Sequence, residues 1–577
     1  MRERNLRTRL QQCLCMPDRS QPRLNWIRQS SKLLGWSLIP AVVLIRPAVS
    51  AERLYVSYGV LERSISVAAL EAFVRKGELD SDLFVYSQYA DAKRLADLRQ
   101  ALVVRADLTP IAVSQFLYTP QGEILLRRLG QVIQPESRDT GFYAIRAALI
   151  LASSDPEGLT PLNVFRKFPT RGLRIDLQRS LQIAGDLERA ITRTNQATAT
   201  LNQLAQLEAL ATPIASTTPV PDLASRGAFS WQKETIRLVD RTRSFVTTLG
   251  RERVFPVDVY LPQIRTDRSG QARKIPVVVI SHGLGSDLTT FRYLAEHLAS
   301  YGFAVAVPEH PGSNAAQLQA LIAGTVSEAA APSEFIDRPL DIKYLLDDLT
   351  RRAKSDPRYG RLNLEQVGVL GQSFGGYTVL ALAGALINFE QLQKDCDAQA
   401  LDNTLNLSVL LQCRANALPR LDYGLQDSRV KAIVAINPID SAVLGQAGFN
   451  QISIPTMIVS GNADTIAPAL QEQVQPFTWL RSSDRYLVLI DRGTHFSTLE
   501  EIMTADSIPL PVEVTGPTPR IARRYMSALS LAFFQTYIAN QPSYRPYLSA
   551  SYAQFISQDP LRLSLVRSLN AEQLNKR

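Results

Sequence analysis

The sequence predicts a mixed α/β protein: a mostly parallel, twisted sheet with helices on both faces, preceded by a mainly α-helical N-terminal domain. Three observations carry that expectation. From about residue 228 onward, apolar runs of strand length alternate with helical segments, and a βαβ series closes most simply as a parallel sheet covered on both faces. Before residue 211 the apolar residues recur instead at helical spacing. Between the two lies a linker, residues 212–227, with Pro213, Pro219 and Pro221 among Ser, Thr and Ala.

Composition bounds what the chain does. At 577 residues it exceeds one ordinary core, and 45% apolar with 20% charged residues is a globular composition. The formal charge of +9 sits at one end: residues 1–51 carry nine basic residues against Glu3 and Asp18, which leaves the remainder near +2. Too little basic excess remains to neutralise phosphates, so no nucleic-acid partner is expected.

Taken in order, residues 1–51 read as a signal peptide: a basic region, the apolar run Leu33 to Ile45, then Ala48-Val49-Ser50-Ala51, with cleavage expected after Ala51. The run is short for a bilayer span, contains Pro40 and is followed by Arg46. The expected location is therefore exported, periplasmic or secreted. An uncleaved signal that anchors the protein in the membrane is the alternative, and Met16 is a second candidate start. Loss of Cys13 and Cys15 with the signal leaves Cys396 and Cys413, a close pair suited to a disulfide in an oxidising compartment.

Residues 52–211 form the helical domain. Arg53 to Tyr58 suits an edge strand or hairpin. Val67, Leu70, Phe73 and Val74 share a helical face that Gly77 is placed to end. Helical patterns follow over Ala92 to Val104, Pro110 to Leu117, Gly122 to Val132 and Phe142 to Ala152. A long helix is expected over Ile175 to Leu210, with Leu177, Leu181, Ile183, Leu187 and Ile191 as apolar positions. No histidine precedes His282, and no chemistry stands out here. A lid, a partner-binding module and a folding aid all remain open for this domain.

Residues 228–545 hold the α/β series. Strands are expected over Ile236 to Thr242, Val254 to Leu261, Pro276 to Ile280, Phe303 to Val307, Val430 to Ile436, Thr456 to Ser460 and Tyr486 to Ile490. Helices are expected over Leu340 to Leu349 and Ile521 to Ile538. The insertion 389–427 reads as a disulfide-pinned cap, whose Leu405, Leu407, Val409, Leu410 and Leu411 offer an apolar face to substrate or to the cap's own core. The C-terminal tail, 546–577, has no evident placement.

The chemistry centres on Val367 to Leu382, where an apolar run enters Gly371-Gln372-Ser373-Phe374-Gly375 and an Ala-rich helix follows. A serine on a tight strand-to-helix turn needs neighbours without side chains, and the helix behind it aims N–H groups at developing negative charge. Ser373 is the candidate nucleophile. It needs a base, itself oriented by an acid. Of four histidines, His495 follows the last apolar strand in a loop; His297 falls within a helix and is expected on its surface; His310 follows a strand but precedes the serine. His495 is the expected base. Asp464, in the loop after Thr456 to Ser460, is the expected acid, and Asp440 is the alternative. The loop Ser281-His282-Gly283-Leu284-Gly285 follows a strand and suits an oxyanion hole, with the backbone N–H groups of Leu284 and Phe374 as donors and His282 shaping the loop.

These residues carry a resemblance. S-H-G-L-G, Y-G-F-A-V-A-V-P-E-H, R-P-L-D-I and G-Q-S-F-G-G resemble the platelet-activating factor acetylhydrolase branch of the α/β-hydrolases. A-D-T-I-A-P and G-T-H-F resemble the dienelactone hydrolase and polyester hydrolase group. Both imply Ser373, His495 and the Leu284 and Phe374 donors, within an α/β-hydrolase fold. They differ over the acid: the first implies a position near Asn437 and Asp440, the second Asp464. The order Ser373, Asp464, His495 fits the superfamily's Ser, Asp, His order. The resemblance covers about residues 230–540, while 52–211 resemble a helical extension of unknown function.

The expected function is a serine esterase that cleaves carboxylic esters, short-acyl or lipid-like, through an acyl-enzyme, as in lipid degradation. No metal or other cofactor is needed, and scattered histidines with one cysteine pair lack metal-ligand spacing. The expected partner is a small-molecule or lipid-like ester, with peripheral membrane contact as a further expectation. Two alternatives stand. A prolyl oligopeptidase-like peptidase shares G-x-S-x-G-G-Y but calls for propeller repeats before it. A non-catalytic binding protein on the same fold would show a missing triad member.

Overall fold

The computed structural model describes residues 50–88, 91–106, 108–213, 220–243, 252–264, 274–500 and 515–575. The expected signal peptide lies outside them, except for Ser50 and Ala51.

The N-terminal region is helical around a small sheet. Strands β1 (Arg53–Tyr58), β2 (Leu61–Ser66), β3 (Ile133–Pro135) and β4 (Gly172–Asp176) are arranged in the order β2-β1-β4-β3. The helices are α1 (Val67–Lys76), α2 (Ser81–Ser87), α3 (Ala92–Val103), α4 (Pro110–Leu117), α5 (Pro120–Val132), α6 (Phe142–Ser153), α7 (Pro161–Arg166) and α8 (Leu177–Ala211). Three of them start at a Thr-Pro pair. Thr109, Thr119 and Thr160 each accept a backbone N–H of the first turn, and the proline that follows has no N–H to leave unpaired. α1 ends as expected, at Gly77 with φ 76°. β4 was not expected, and its last two residues, Ile175 and Asp176, overlap the start of the expected long helix: five residues are too few for a pattern, and they are held by pairing with β1 on one side and β3 on the other.

α8 corrects a second expectation. Leu181, Leu187 and Ile191 are exposed, and its buried stripe is Ala197, Leu201, Ala205 and Ala209, at four-residue spacing one turn apart. Small alanines let this half of the helix approach closely. It packs against the C-terminal segment, where Ser551 Oγ donates to the Ala209 carbonyl at 3.0 Å and Ser564 Oγ to Asn202 at 2.7 Å.

The main sheet has nine strands: β5 (Trp231–Asp240), β6 (Arg253–Pro262), β7 (Ile275–Ser281), β8 (Ala304–Pro308), β9 (Leu362–Gln372), β10 (Val430–Ile436), β11 (Thr456–Gly461), β12 (Arg485–Ile490) and β13 (Leu563–Val566). Their order is β13-β12-β11-β10-β9-β7-β8-β6-β5. The run from β12 to β8 is parallel, with antiparallel strands at both edges. β5 begins earlier than expected because its polar start, Gln232-Lys233-Glu234, pairs along β6 at the sheet's edge and needs no burial. β13 comes from the segment that the sequence left unplaced.

Alternation within the strands feeds two cores. Val277 and Val279 face a layer containing the helices Glu334–Ser355 and Phe374–Leu382, whereas Val278 and Ile280 face the helices Arg292–Ser300 and Pro519–Tyr537. The insertion expected as a cap comprises the helices Phe389–Asp395, Ala398–Asn403 and Ser408–Gln412, joined by the expected Cys396–Cys413 disulfide. Val409 is buried, Leu410 and Leu411 pack against the core, and Leu407 is exposed. Among the described residues no helix is long and apolar enough to cross a membrane.

Candidate active site

β9 delivers Ser373 to a turn that glycine makes passable. Ser373 adopts φ 55° and ψ −116°, a conformation costing a side-chain-bearing residue about 1–3 kcal/mol. A Cβ at Gly371 would lie 2.1 Å from the Gly375 carbonyl oxygen, and one at Gly375 would lie 2.1 Å from that of Ser281. Neither position admits a side chain. The Ser373 N–H is held by the Ile436 carbonyl at 2.9 Å, which ties the turn to β10.

The structure brings three of the expected residues into one hydrogen-bonded line. Ser373 Oγ lies 2.8 Å from His495 Nε2, and His495 Nδ1 lies 2.6 Å from Asp464 Oδ2. The carboxylate can only accept, so Nδ1 carries the proton and Nε2 is left to accept the serine hydroxyl's. Asp464 is fixed in turn: its Oδ1 accepts the N–H groups of Ile466 and Ala467, each at 2.8 Å. Ser373 is 7% and His495 4% exposed, so the line is covered yet reachable.

Asp440 stays apart from His495. Both of its carboxyl oxygens are buried and have no hydrogen-bond partner among the described residues. Burial, reinforced by the neighbouring Glu472 carboxylate, pushes its pKa well above the usual range. Glu472 is the satisfied member of that pair, accepting the N–H groups of Asp440 and Ser441 at 2.7 and 2.9 Å and the Gln412 amide at 3.0 Å.

The loop after β7 lies against the nucleophile, for a Cβ at Gly283 would sit 3.4 Å from that of Ser373. Among the described residues neither the Leu284 nor the Phe374 backbone N–H has an acceptor. Phe374 opens the helix Phe374–Leu382, so its N–H is one of the unpaired donors of a helix start.

The other histidines are structural. His282 Nδ1 donates to the Gly283 carbonyl at 2.8 Å, and its Nε2 accepts the His310 N–H at 3.1 Å, which shapes the loop from within. His297 is 8% exposed and not at the surface, and burial lowers its pKa to about 4. His310 forms a second Ser-His-Asp line, with Ser281 Oγ at 2.9 Å and Asp341 Oδ2 at 2.8 Å. All three are fully buried, and Asp341 is also gripped by Arg243 and Arg253 at 2.6 and 2.8 Å. No substrate reaches this line. Burial first, then the Arg338 charge, lowers the His310 pKa to about 3.

Sequence reasoning missed two residues that hold the site. Asn437, at φ 41°, donates to the carbonyls of Thr494 and His495 and accepts the Gly461 N–H, binding the acid-bearing and base-bearing strand ends together. Gln372 Nε2 donates to the His495 carbonyl at 3.1 Å. A polar residue directly after an apolar run, as in Ala432 to Ile436 followed by Asn437-Pro438, is the signal for the first.

Residues 50–176 match the family described as "Alpha/beta hydrolase of unknown function (DUF1400)". Residues 252–336, which include the loop Ser281 to Gly285, match "Platelet-activating factor acetylhydrolase, isoform II". No curated protein matches the chain. The nine-stranded sheet with helices on both faces agrees with these matches: the chain has an α/β-hydrolase fold and is similar, over residues 252–336, to the platelet-activating factor acetylhydrolases.

Proposed function

We propose that the protein is an exported serine esterase acting on carboxylic esters through an acyl-enzyme. The observation that carries this reading is the line Ser373 Oγ, His495, Asp464, with spacings of 2.8 and 2.6 Å, on a strained strand-to-helix turn. Ser373 attacks the ester carbonyl while His495 Nε2 takes its proton, and Asp464 stabilises the imidazolium. The carbonyl oxygen becomes an oxyanion held by the N–H groups of Leu284 and Phe374. Collapse expels the alcohol, which receives the proton from His495. Water then attacks the acyl-serine by the same route and releases the acid. Export is supported by the Cys396–Cys413 disulfide.

The test is labelling of purified protein with a fluorophosphonate and hydrolysis of p-nitrophenyl acetate and butyrate. Both are expected to vanish in Ser373→Ala. Turnover is expected to fall roughly 10⁴-fold in Asp464→Asn, through loss of the correct imidazole tautomer. A folded wild-type protein that is neither labelled nor active would refute the reading.

A further inference from the structure

Beneath the oxyanion loop lies a buried cation that the triad does not use. Arg338, in the helix Glu334–Ser355, is fully buried beside Glu334, Asp337 and Asp341, and a burial-lowered pKa of about 10 leaves it charged at neutral pH. Its neighbours Arg243 and Arg253 pair directly with those carboxylates. Arg338 makes no ion pair among the described residues. Its donors go elsewhere: Nη2 to the His282 carbonyl and, at 3.4 Å, to Ser281 Oγ; Nη1 to Ser313 Oγ at 2.7 Å; Nε to Thr378 Oγ1 at 3.2 Å. The guanidinium carbon also lies 4.8 Å from the centre of the Phe374 ring.

These contacts converge on one feature. The His282 carbonyl belongs to the peptide unit just before the one that carries the Leu284 N–H. Ser313 holds the far side of the same loop, its carbonyl accepting the Gly285 N–H at 2.8 Å. On the other segment, Thr378 Oγ1 donates to the Phe374 carbonyl at 2.8 Å, and the Phe374 ring itself lies beneath the guanidinium. We infer that Arg338 is the positioning residue of the oxyanion hole: one guanidinium spans the two segments that supply the Leu284 and Phe374 donors and fixes their separation. This rests on the esterase reading above. A planar fork with five donors suits the task, and an ammonium on a flexible stem does not.

Arg338→Lys keeps the charge and removes the fork. Because small displacements of a preorganised site are costly, kcat for p-nitrophenyl butyrate is expected to fall about 10- to 100-fold. KM should stay within about twofold, since the ground-state ester makes little use of the hole. Affinity for a trifluoromethyl ketone, whose adduct with Ser373 carries the oxyanion, should fall by about the same factor as kcat. A merely structural role would lower the unfolding midpoint without that matched loss. Wild-type kcat in folded Arg338→Lys, or a change in KM alone, overturns the inference. Thr378→Val is the smaller change, should it be needed for a folded sample; it removes the Nε partner and is expected to lower kcat about fivefold at unchanged KM. Wild-type kcat there counts equally against the inference. An unlabelled, inactive wild type would remove the esterase reading itself, whereas a labelled, active wild type matched by Arg338→Lys would sink only the role of Arg338.

Discussion

Asp440 and Asp464 follow neighbouring strands, β10 and β11, and differ in what reaches their oxygens. Asp464 meets two N–H groups and an imidazole; Asp440 meets no donor among the described residues and has Glu472 nearby. A carboxyl with a raised folded pKa contributes stability that is fully present below its unfolded pKa, near 4, and is lost as pH rises through the folded value. Asp440→Asn cannot ionise, so its urea midpoint should gain on that of the wild type as pH rises, with a larger difference at pH 8 than at pH 5. Turnover should stay within about threefold, because the side chain does not touch the triad. Equal midpoint differences at both pH values would mean that Asp440 ionises in the fold. At this scale the sequence was legible where chemistry dictates residue type and strand ends dictate place, as for Ser373, His495 and the pair of candidate acids. It assigned no role to Arg338, His310 and Asp341: Arg338 and Asp341 entered only through the R-P-L-D-I resemblance, and His310 only as a histidine that precedes the serine. Their trace is the row Glu334, Asp337, Arg338, Asp341, Leu345, which puts charges on a face that Leu345 marks as buried. That anomaly is readable, but only the fold shows what the charges hold.

Elements with two buried faces or with end signals were legible almost to the residue. β10 falls at Val430–Ile436 as its apolar run implied, and α4 at Pro110–Leu117 as its helical pattern implied. Elements defined by their partners were not: β3, β4 and β13 are short, and each exists because a neighbouring strand is already there. The cap stands between these cases, since its small helices lean on the core and are closed by a bond across 17 residues. Replacing Cys396 and Cys413 by serine should lower the cap's stability by about 3 kcal/mol, from the loop-closure entropy returned to the unfolded chain. Limited proteolysis with and without reductant is the measurement, with cleavage expected first within 389–427. Cleavage elsewhere at an unchanged rate would show that packing alone holds the cap.

Across the whole molecule, α8 joins regions that composition separates. Its Ala197, Leu201 and Ala205 belong to the same core as β7 and β9, and Glu208 receives the Arg567 N–H. The proline-rich stretch after it reads as a boundary in sequence, yet packing continues past it. Leu201→Ala should therefore cost about 2–5 kcal/mol and lower the temperature at which the proposed esterase activity is lost, as a cavity in the core of the sheet would. An activity-loss temperature equal to wild type, with only a separate early transition displaced, would place α8 outside that core. Near the other end, Arg127 and Gln131 of α5 reach Asp402 of the cap, so the helical region braces the insertion as well. The edge strand β13 has one more consequence, which concerns time. A ribosome delivers Leu563–Val566 after every other strand of the sheet, and Ser564 meets Asn202 across a separation of 362 residues. Until that strand emerges, β12 presents an open edge and part of the α8 stripe has no seat. Two nascent chains on one message that meet in this interval can pair edge to edge. Synthesis that halts just short of residue 563 would thus yield an aggregating protein even though Ser373, Asp464 and His495 had all been made.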